Sequence, residues 1–258
     1  MKKLAIIGSD GMLGSDLVEH LRRSYSITPI SKDNYSQYIH KKFDVVLNAN
    51  GNSKRFWANK NPQDDFFVST VSVFKSIFDF PCDIYIYISS PDVYENHTAP
   101  KYTKENQKID PKNLSMYGFH KYLAEIIVKK HKDKFIILRS SMILGKNLKK
   151  GPFYDIAHDK PIFIALESCL QLITTLGIAQ VIKALLEQSV VKETINVGGK
   201  GSFSFKNLSK YIDRKTQVSP NAETQAYEMN IEKLNNFYKK LKTTQEYLQE
   251  FLSFYPMG

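Results

Sequence analysis

A tyrosine and a lysine lie four residues apart at the start of a predicted helix. Tyr117 and Lys121 follow Ser115 in the segment SMYGFHKYLAEIIV. Residues at this spacing share one face of a helix, one turn from each other. A nearby ammonium favours the phenolate and lowers a phenol pKa that is ordinarily about 10. The pair could therefore act as a general acid or base, and the same spacing also occurs in exposed aromatic–cation pairs that do no chemistry.

A serine precedes this helix at the end of another predicted element. Ile84–Ile88 is a run of β-branched and aromatic residues, which predicts a buried strand that ends at Ser89 and Ser90. A polar loop then leads to the helix. The Ser90 hydroxyl is thus a candidate to hydrogen-bond the oxygen atom on which Tyr117 acts.

A glycine-rich turn follows the first predicted strand. Lys2–Ile7 is a basic start and an apolar run, and GSDGMLG then places Gly8, Gly11 and Gly14 before a helix. Glycines at the carboxyl end of a strand let the backbone approach a pyrophosphate, and the next helix directs its amide groups at it. The spacing Gly-x-x-Gly-x-x-Gly differs from the Gly-x-Gly-x-x-Gly fingerprint. The turn still indicates a dinucleotide site.

Together these motifs resemble the short-chain dehydrogenase/reductase superfamily. The resemblance is to its extended branch, the NAD-dependent epimerase/dehydratase family, which modifies nucleotide sugars, and it covers nearly the whole chain in order. Five further segments are similar to motifs of that branch: FDVVLNANG (43–51) to Asp-x-Val-x-Asn-x-Ala, NPQDDFFVSTV (61–71) to Asn-Pro-x-x-x-x-x-x-Asn, SSPDVYE (89–95) to Ser-Ser-x-x-Val-Tyr-Gly, LRSSMILGKNLKKG (138–151) to Leu-Arg-x-x-x-x-x-Gly-Pro, and INVGG (195–199) to Tyr-Asn-Val-Gly.

The resemblance implies an α/β fold, a Rossmann-type doubly wound parallel sheet with a small C-terminal substrate lobe. About a dozen residues separate Lys32 from Phe43. A crossover to a third strand alone needs roughly 10 to 12 residues, so we expect the third-strand region to be shortened. The expected division is a NAD(P)-binding Rossmann domain, residues 1–140 and 171–199, and a substrate-binding lobe, residues 141–170 and 200–258.

The resemblance also implies site residues. Tyr117 would exchange a proton with a sugar hydroxyl or ketone, Lys121 would lower its pKa and hold the nicotinamide ribose, and Ser90 would bind the reacting oxygen. Substrate contacts are expected from Ser90, Asp92 and Met142, and no metal is expected. The expected cofactor-binding residues are Gly8, Asp10, Gly11, Met12, Leu13, Gly14, Ser31, Lys32, Asn48, Ala49, Asn50, Tyr117 and Lys121.

The end of the second predicted strand bears on the choice of cofactor. Ile27–Ile30 is followed by Ser31, Lys32 and Asp33. An acidic residue usually ends this strand in proteins that bind NAD, whereas a hydroxyl and an ammonium suit the extra phosphate of NADP. We therefore expect NADP, with NAD as the alternative if Lys32 merely points into water.

The residues after Ser90 narrow the reaction. Dehydratases of this branch have Asp and then Glu after the catalytic Ser or Thr, and this chain has Pro91 and Asp92. Proline cannot donate a proton, so dehydration is disfavoured. Asp92 could still act as an acid or base, but a role in stabilising the turn after the proline is at least as well supported. We expect a reductase of a nucleotide-linked keto sugar. A nucleotide-sugar epimerase with tightly bound NAD is the alternative. A second alternative is a non-catalytic, dinucleotide-sensing regulator, which would ordinarily lack the tyrosine and lysine that this chain keeps.

Composition bears on partners and location. The chain has 258 residues and a formal net charge of +10, which favours anionic partners such as the cofactor and the substrate. No nucleic-acid motif accompanies the charge, so we expect no nucleic-acid partner. No apolar run in the sequence could cross a bilayer, so we expect a cytoplasmic protein without membrane insertion.

Other segments have more than one interpretation. We expect a helix over residues 64–79 whose apolar stripe packs on the sheet or pairs subunits, and the resemblance implies a homodimer. Lys54, Arg55 and Trp57 are expected in a loop near the site, and His120 on the surface or in packing. In the second half of the chain we expect helices over residues 172–186 and 203–212 and a helical cap over 231–254.

Overall fold

Strands and helices alternate along the first half of the chain. The computed structural model describes residues 1–255 and 257. From the amino terminus the elements are β1 (Lys3–Ile7), α1 (Met12–Leu21), β2 (Ser26–Ile30), β3 (Phe43–Asn48), α2 (Arg55–Lys60), α3 (Pro62–Phe66), α4 (Ser72–Asp79), β4 (Cys82–Ser89), α5 (Met116–His131) and β5 (Phe135–Ser140).

The second half contains shorter elements. They are β6 (Met142–Leu144), α6 (Pro152–Ala157), β7 (Ile162–Ile164), β8 (Cys169–Leu170), β9 (Leu172–Thr174), α7 (Thr175–Glu187), β10 (Glu193–Val197), β11 (Phe203–Ser204), β12 (Val218–Glu223), β13 (Ala226–Tyr227), α8 (Glu232–Phe237) and α9 (Thr244–Phe254).

A parallel sheet with strand order β10-β5-β4-β3-β1-β2 forms the centre of the fold. Both of its faces are buried. Leu4 and Ile6 of β1 lie in the core shared with α1 and α7, whereas Ala5 and Ile7 lie in the core shared with α4 and α5. A parallel sheet covered on both faces requires continuous apolar strands, which these sequences supply. The prediction of an α/β fold with a doubly wound parallel sheet is confirmed.

The third-strand region is shortened, as expected. Residues 31–42 are all described, and they contain a 3-10 helix at Tyr35–Tyr38 in place of a strand and crossover helix. Tyr35 fixes this short connection, since its ring meets Phe80 edge-on with centroids 4.8 Å apart and its hydroxyl donates to Asp79 over 2.8 Å. Strand β2 is therefore the edge of the sheet.

A π-helical turn at Phe67–Val71 joins α3 to α4, so that residues 62–79 form one helical segment. Such a turn accommodates an extra residue and rotates the side chains that follow it. Thr70 and Ile77 are buried, whereas Phe67 and Phe78 are more than half exposed. The apolar stripe predicted over residues 64–79 thus divides into one face that packs on the core and an outer aromatic face that is exposed.

The carboxyl-terminal lobe has its own apolar core, built around Phe153, Phe203 and Phe251. Residues 172–186 were expected to be wholly helical, but they begin with β9, because the Thr174 hydroxyl caps α7 by accepting a hydrogen bond from the Gly177 amide over 3.0 Å. The helix expected over residues 203–212 was also wrong in part. It is the short strand β11 followed by a 3-10 helix.

Candidate active site

Strand β4 and helix α5 bring Ser90 and Tyr117 together. Ser115 caps α5 by accepting a hydrogen bond from the Gly118 amide over 3.1 Å, so Tyr117 lies in the first turn of the helix. The helix packs closely on the turn after Ser90, since a Cβ added at Gly118 would lie 2.0 Å from the Asp92 carbonyl oxygen. Only glycine permits this approach, and it places the phenol beside the serine.

Tyr117 is a buried phenol that holds its proton. Burial raises the pKa of Tyr117 above its ordinary 10.0, the negative charge of Asp92 raises the pKa further, and a hydrogen bond with Ser90 opposes the shift. The sequence led us to expect a lowered pKa. The direction is opposite because loss of hydration disfavours the phenolate more than nearby cations favour it. At neutral pH this tyrosine is an acid.

Lys121 lies one turn further along α5 and is also buried. Its ammonium donates a hydrogen bond to the Ile88 carbonyl over 3.4 Å and stands 5.3 Å from the centroid of the Tyr87 ring. Gly51, with φ +121°, lets the backbone pass close by, since an added Cβ there would lie 3.3 Å from Lys121 Nζ. Burial lowers the pKa of Lys121 to about 8, against the raising effect of Asp65.

Asp92 contacts residues of three different segments. Ser90 Oγ donates to Oδ2 over 2.7 Å, and the Tyr227 hydroxyl of the lobe donates to Oδ1 over 3.1 Å. Arg55 NH1 lies 3.4 Å from the same Oδ1 and also donates to the Tyr227 hydroxyl. The sequence did not single out Tyr227. It placed Arg55 in a loop, whereas Arg55 begins α2.

His120 belongs to a buried hydrogen-bond network next to Lys121. Its Nδ1 lies 2.6 Å from Asp65 Oδ2, and both side chains are almost wholly buried. Asn52 and Ser69 donate to the other oxygen of Asp65 over 2.8 Å and 3.0 Å. Of the two alternatives for His120, packing is therefore observed and surface exposure is not. The network joins α5 to α3 and to the loop after β3.

A second buried pair fixes the other side of α5. Arg139 donates two hydrogen bonds to Glu125, from Nε over 2.9 Å and from Nη2 over 2.6 Å. The Ser89 hydroxyl donates to the same carboxylate over 2.6 Å. Because Ser89 immediately precedes the catalytic candidate Ser90, this pair ties α5 to the ends of β4 and β5.

The glycine turn after β1 fits a dinucleotide pyrophosphate. Gly8 has φ +82°, and the amides of Gly8 and Ser9 donate to the Ile30 carbonyl at the end of β2. A Cβ added at Gly14 would lie 2.0 Å from the Gly8 carbonyl oxygen. Gly11 is the N-cap of α1 and offers no side chain to its first amides. The first amides of α1 therefore have no side-chain cap, as phosphate binding at a helix N-terminus requires.

The other expected cofactor-binding residues differ in how their side chains are placed. Asn48 is buried, donates to the Tyr85 hydroxyl over 2.8 Å and accepts from the Asn50 amide over 2.9 Å, so its side chain shapes the turn. The side chain of Leu13 lies in the core. Neither side chain is free to face a ligand. Lys32 and Asp10 are exposed, whereas Ser31, Met12, Ala49 and Asn50 are half-buried.

Met142, the expected substrate contact in the lobe, is half-buried and packs on the lobe core near Gly151. Among the residues that the structure describes, no group of three or more His, Cys, Asp and Glu side chains is arranged to hold a metal ion. Within the same residues, no helix combines the length and apolar character needed to cross a membrane.

Comparison with known proteins identifies a family and several similar folds. Residues 4–164 match the NAD dependent epimerase/dehydratase family, which is more than half of the 258 residues. No curated protein matches the chain.

A Bacillus anthracis dTDP-4-dehydrorhamnose reductase in complex with NADP has 20% identity and a TM-score of 0.80 over 98% of this chain and 99% of its own. A Bacillus cereus UDP-glucuronic acid 4-epimerase in complex with UDP-glucuronic acid and NAD has 17% identity and a TM-score of 0.78, with 98% of each chain covered. A Clostridium acetobutylicum dTDP-4-dehydrorhamnose reductase has 14% identity and a TM-score of 0.78 over 97% of this chain and 98% of its own.

These solved structures are similar to the chain in fold, and the family match includes both the glycine turn and the segment that carries Ser90, Tyr117 and Lys121. The chain belongs to the NAD dependent epimerase/dehydratase family.

Proposed function

We propose that the protein reduces the keto group of a nucleotide-linked sugar with NADPH. The observation that supports this most is the buried Tyr117 phenol, which lies beside Ser90 and whose pKa burial raises further above neutral. Reduction of a ketone needs a proton donor at the carbonyl oxygen, and a neutral phenol is such a donor. The bound nicotinamide supplies the hydride.

Each residue of the site has one task in this proposal. Tyr117 gives its proton to the carbonyl oxygen as that oxygen becomes an alkoxide. The ammonium of Lys121 binds the ribose of the cofactor and offsets the charge left on the phenolate. Ser90 and Asp92 position the reacting groups, and Met142 lines the substrate side. Residues 1–140 and 171–199 bind the cofactor, and residues 141–170 and 200–258 bind the sugar nucleotide.

The preference for NADP is proposed from Ser31 and Lys32. Both follow β2 next to the Gly8 turn, and Lys32 is exposed where an anionic group can reach it. Neither residue carries a negative charge that would repel the extra phosphate of NADP. The similar Bacillus anthracis reductase was solved with NADP, which agrees with this choice.

An epimerase with NAD is the second candidate, because the Bacillus cereus 4-epimerase is almost equally similar in fold. An epimerase begins by removing a proton from a sugar hydroxyl, so it needs the phenolate at the start. The raised pKa of Tyr117 disfavours that state. A dinucleotide sensor without catalysis is disfavoured because Ser90, Tyr117 and Lys121 are all present and all buried.

A homodimer is proposed from the outer aromatic face of residues 62–79. Phe67, Phe74 and Phe78 are exposed there, and Met116 and Ile126 of α5 are exposed as well. Exposed apolar patches of this kind mark interaction surfaces. Analytical ultracentrifugation tests this part of the proposal, and a monomer at micromolar concentration would overturn it.

The nucleotide released by denaturing the purified protein separates the two enzyme candidates. A reductase exchanges its cofactor at every turnover, so we expect little released nucleotide and reversible binding of added NADPH, more tightly than NADH. Stoichiometric NAD in the released material would favour the epimerase instead. Absence of binding to either reduced cofactor would contradict both enzyme functions.

A further inference from the structure

The carboxylate of Asp92 lies where the sheet, α2 and the lobe meet. It accepts a hydrogen bond from Ser90 Oγ on one oxygen, and on the other it meets the Tyr227 hydroxyl at 3.1 Å and Arg55 at 3.4 Å. Its side chain is only 10% exposed. Two hydrogen-bond donors and one ion-pair partner, from three segments, thus surround one nearly buried carboxylate. Such a carboxylate is held in a single orientation, since each of its oxygens has a bound donor.

Ser90 has one hydroxyl proton, and that proton is directed at Asp92 Oδ2 over 2.7 Å. A hydroxyl that donates to a carboxylate turns its lone pairs to its other neighbours. Tyr117 lies next to Ser90, since a hydrogen bond with the Ser90 hydroxyl lowers the pKa of its phenol against the effect of burial. Asp92 therefore sets the direction of the Ser90 hydroxyl beside the reacting tyrosine.

The backbone of Asp92 is fixed by α5, because its carbonyl packs against Gly118. The direction of its side chain, however, depends on Tyr227 and Arg55. Without these two donors, Oδ1 would lose its ordered partners, and the carboxylate could turn toward solvent and release the Ser90 hydroxyl. The orientation of a buried carboxylate commonly depends on such supporting hydrogen bonds.

Tyr227 is itself held firmly by the lobe. It belongs to β13, which pairs with β8. Its ring stacks on His97, with centroids 3.7 Å apart and planes at 15°, and the Arg55 guanidinium lies 4.7 Å from the ring centroid. His97 also contacts the Ala226 carbonyl through Nδ1 over 3.2 Å. A lobe element is thus rigidly linked to the catalytic serine through a single carboxylate.

We propose that Asp92 is a positioning residue that fixes the direction of the Ser90 hydroxyl, and that Tyr227 and Arg55 hold Asp92 in place for that task. This inference rests on the proposed reduction by Tyr117. It assigns Tyr227, a residue of the substrate lobe, a role in the chemical step that is separate from substrate binding. Packing of the lobe therefore affects turnover.

The test compares Asp92→Asn, Tyr227→Phe and the double variant in steady-state reduction of a nucleotide-linked keto sugar by NADPH. We expect kcat to fall about 10- to 100-fold in Asp92→Asn and about 5- to 20-fold in Tyr227→Phe, with KM for the sugar changed by less than about twofold. The double variant should be no slower than Asp92→Asn, because residues that act through one another are not additive.

Two further variants make the test specific. Arg55→Gln removes the other donor to Asp92 from a partly exposed position, and we expect kcat to fall about threefold. Tyr211→Phe is the matched control, because Tyr211 is a half-buried lobe tyrosine whose ring packs on Phe203, and it should leave kcat unchanged. Tyr227→Phe keeps the ring stack on His97, so we expect a folded protein, which thermal unfolding checks.

Each outcome has a distinct meaning. A raised KM with unchanged kcat in Tyr227→Phe would assign Tyr227 to substrate binding and overturn the inference. Multiplicative losses in the double variant would show that Tyr227 does not act through Asp92. If the wild-type protein reduces no keto sugar, the proposed function fails and the inference fails with it. If the wild-type protein is active and the variants are unaffected, the inference is overturned and the proposed function stands.

Discussion

Lys121 donates its ammonium hydrogen bond to the backbone carbonyl of Ile88, over 3.4 Å, in the buried space behind Tyr117. A carbonyl satisfies only one of the three donors of an ammonium. Burial therefore lowers the pKa of Lys121 to about 8, even though Asp65, Glu125 and Asp92 act to raise it. Lys121 therefore loses its positive charge within the pH range in which enzymes are assayed, which leads to two predictions.

Activity should decline as pH rises through about 8, because Lys121 loses the charge that the proposed mechanism requires. Replacement by arginine keeps a positive charge to far higher pH. In Lys121→Arg we expect lower activity overall but no decline between pH 7 and 10. The measurement is kcat/KM against pH for both proteins. An alkaline decline at the same pH in the variant would show that another group titrates there.

The same lysine should lower the stability of the folded protein. Between its folded pKa of about 8 and its ordinary 10.5, the unfolded chain binds more protons at Lys121, so the free energy of unfolding rises with pH in this window. Lys121→Met should therefore be more stable than the wild type at pH 7, by about 1 to 3 kcal/mol. This advantage should vanish above pH 10.5. Urea unfolding at both pH values measures it, with Lys130→Met as an exposed control on the same helix.

The Glu125–Arg139 pair should contribute strongly to stability. Glu125 and Arg139 are both buried, so removing one charge leaves the other without a partner. We expect Glu125→Gln to lower the free energy of unfolding by about 3 to 5 kcal/mol. The matched control is Glu187→Gln, which breaks the exposed pair with Lys183 and should cost less than about 0.5 kcal/mol. Equal losses of unfolding free energy in Glu125→Gln and Glu187→Gln would show that burial does not strengthen the Glu125–Arg139 pair.

Gly14 should tolerate no side chain. An added Cβ would lie 2.0 Å from the Gly8 carbonyl oxygen, so Gly14→Ala must displace the turn that we assign to the cofactor pyrophosphate. We expect affinity for NADPH to fall at least about tenfold and stability to fall by about 2 to 4 kcal/mol. Gly201→Ala is the control, because nothing lies within 4 Å of its added Cβ, and only its φ of +70° causes strain. NADPH fluorescence titration and thermal unfolding measure both effects. Unchanged affinity in Gly14→Ala would place the cofactor elsewhere.

Features encoded by local sequence could be predicted. The apolar run Ile84–Ile88 lies within β4, and Ser115 caps α5 as the expected helix start. The spacing between Lys32 and Phe43 correctly indicated a shortened region. In each case the signal lies within a few consecutive residues, because strands, caps and short connections depend on local composition.

Contacts between distant residues could not be predicted in the same way. Arg55 and Tyr227 are 172 residues apart and meet only because the lobe folds back on α2. No local pattern marks Tyr227, since it lies in a strand of only two residues. The direction of the Tyr117 pKa shift was missed for a related reason. Helical spacing places Lys121 near the phenol, but burial, which is set by tertiary packing, determines the outcome.

His120 offers a signal that could have been used. It lies beside Lys121 in sequence but faces α3, where Asp65 is a buried carboxylate next to the buried polar residues Ser69 and Thr70. A carboxylate in such a position requires a buried partner. Comparing the polar residues on the facing sides of α3 and α5 would have identified His120 as that partner.

The most direct test of the account is transfer of deuterium from NADPH to a nucleotide-linked keto sugar. We predict that one NADPH, labelled at the transferable position of the nicotinamide, is consumed for each sugar reduced, and that the label appears on the former carbonyl carbon. Tyr117→Phe should bind NADPH normally and transfer the label about 10²- to 10⁴-fold more slowly. Conversion of a sugar to its epimer without consumption of NADPH, or label transfer at the wild-type rate in Tyr117→Phe, would contradict the account.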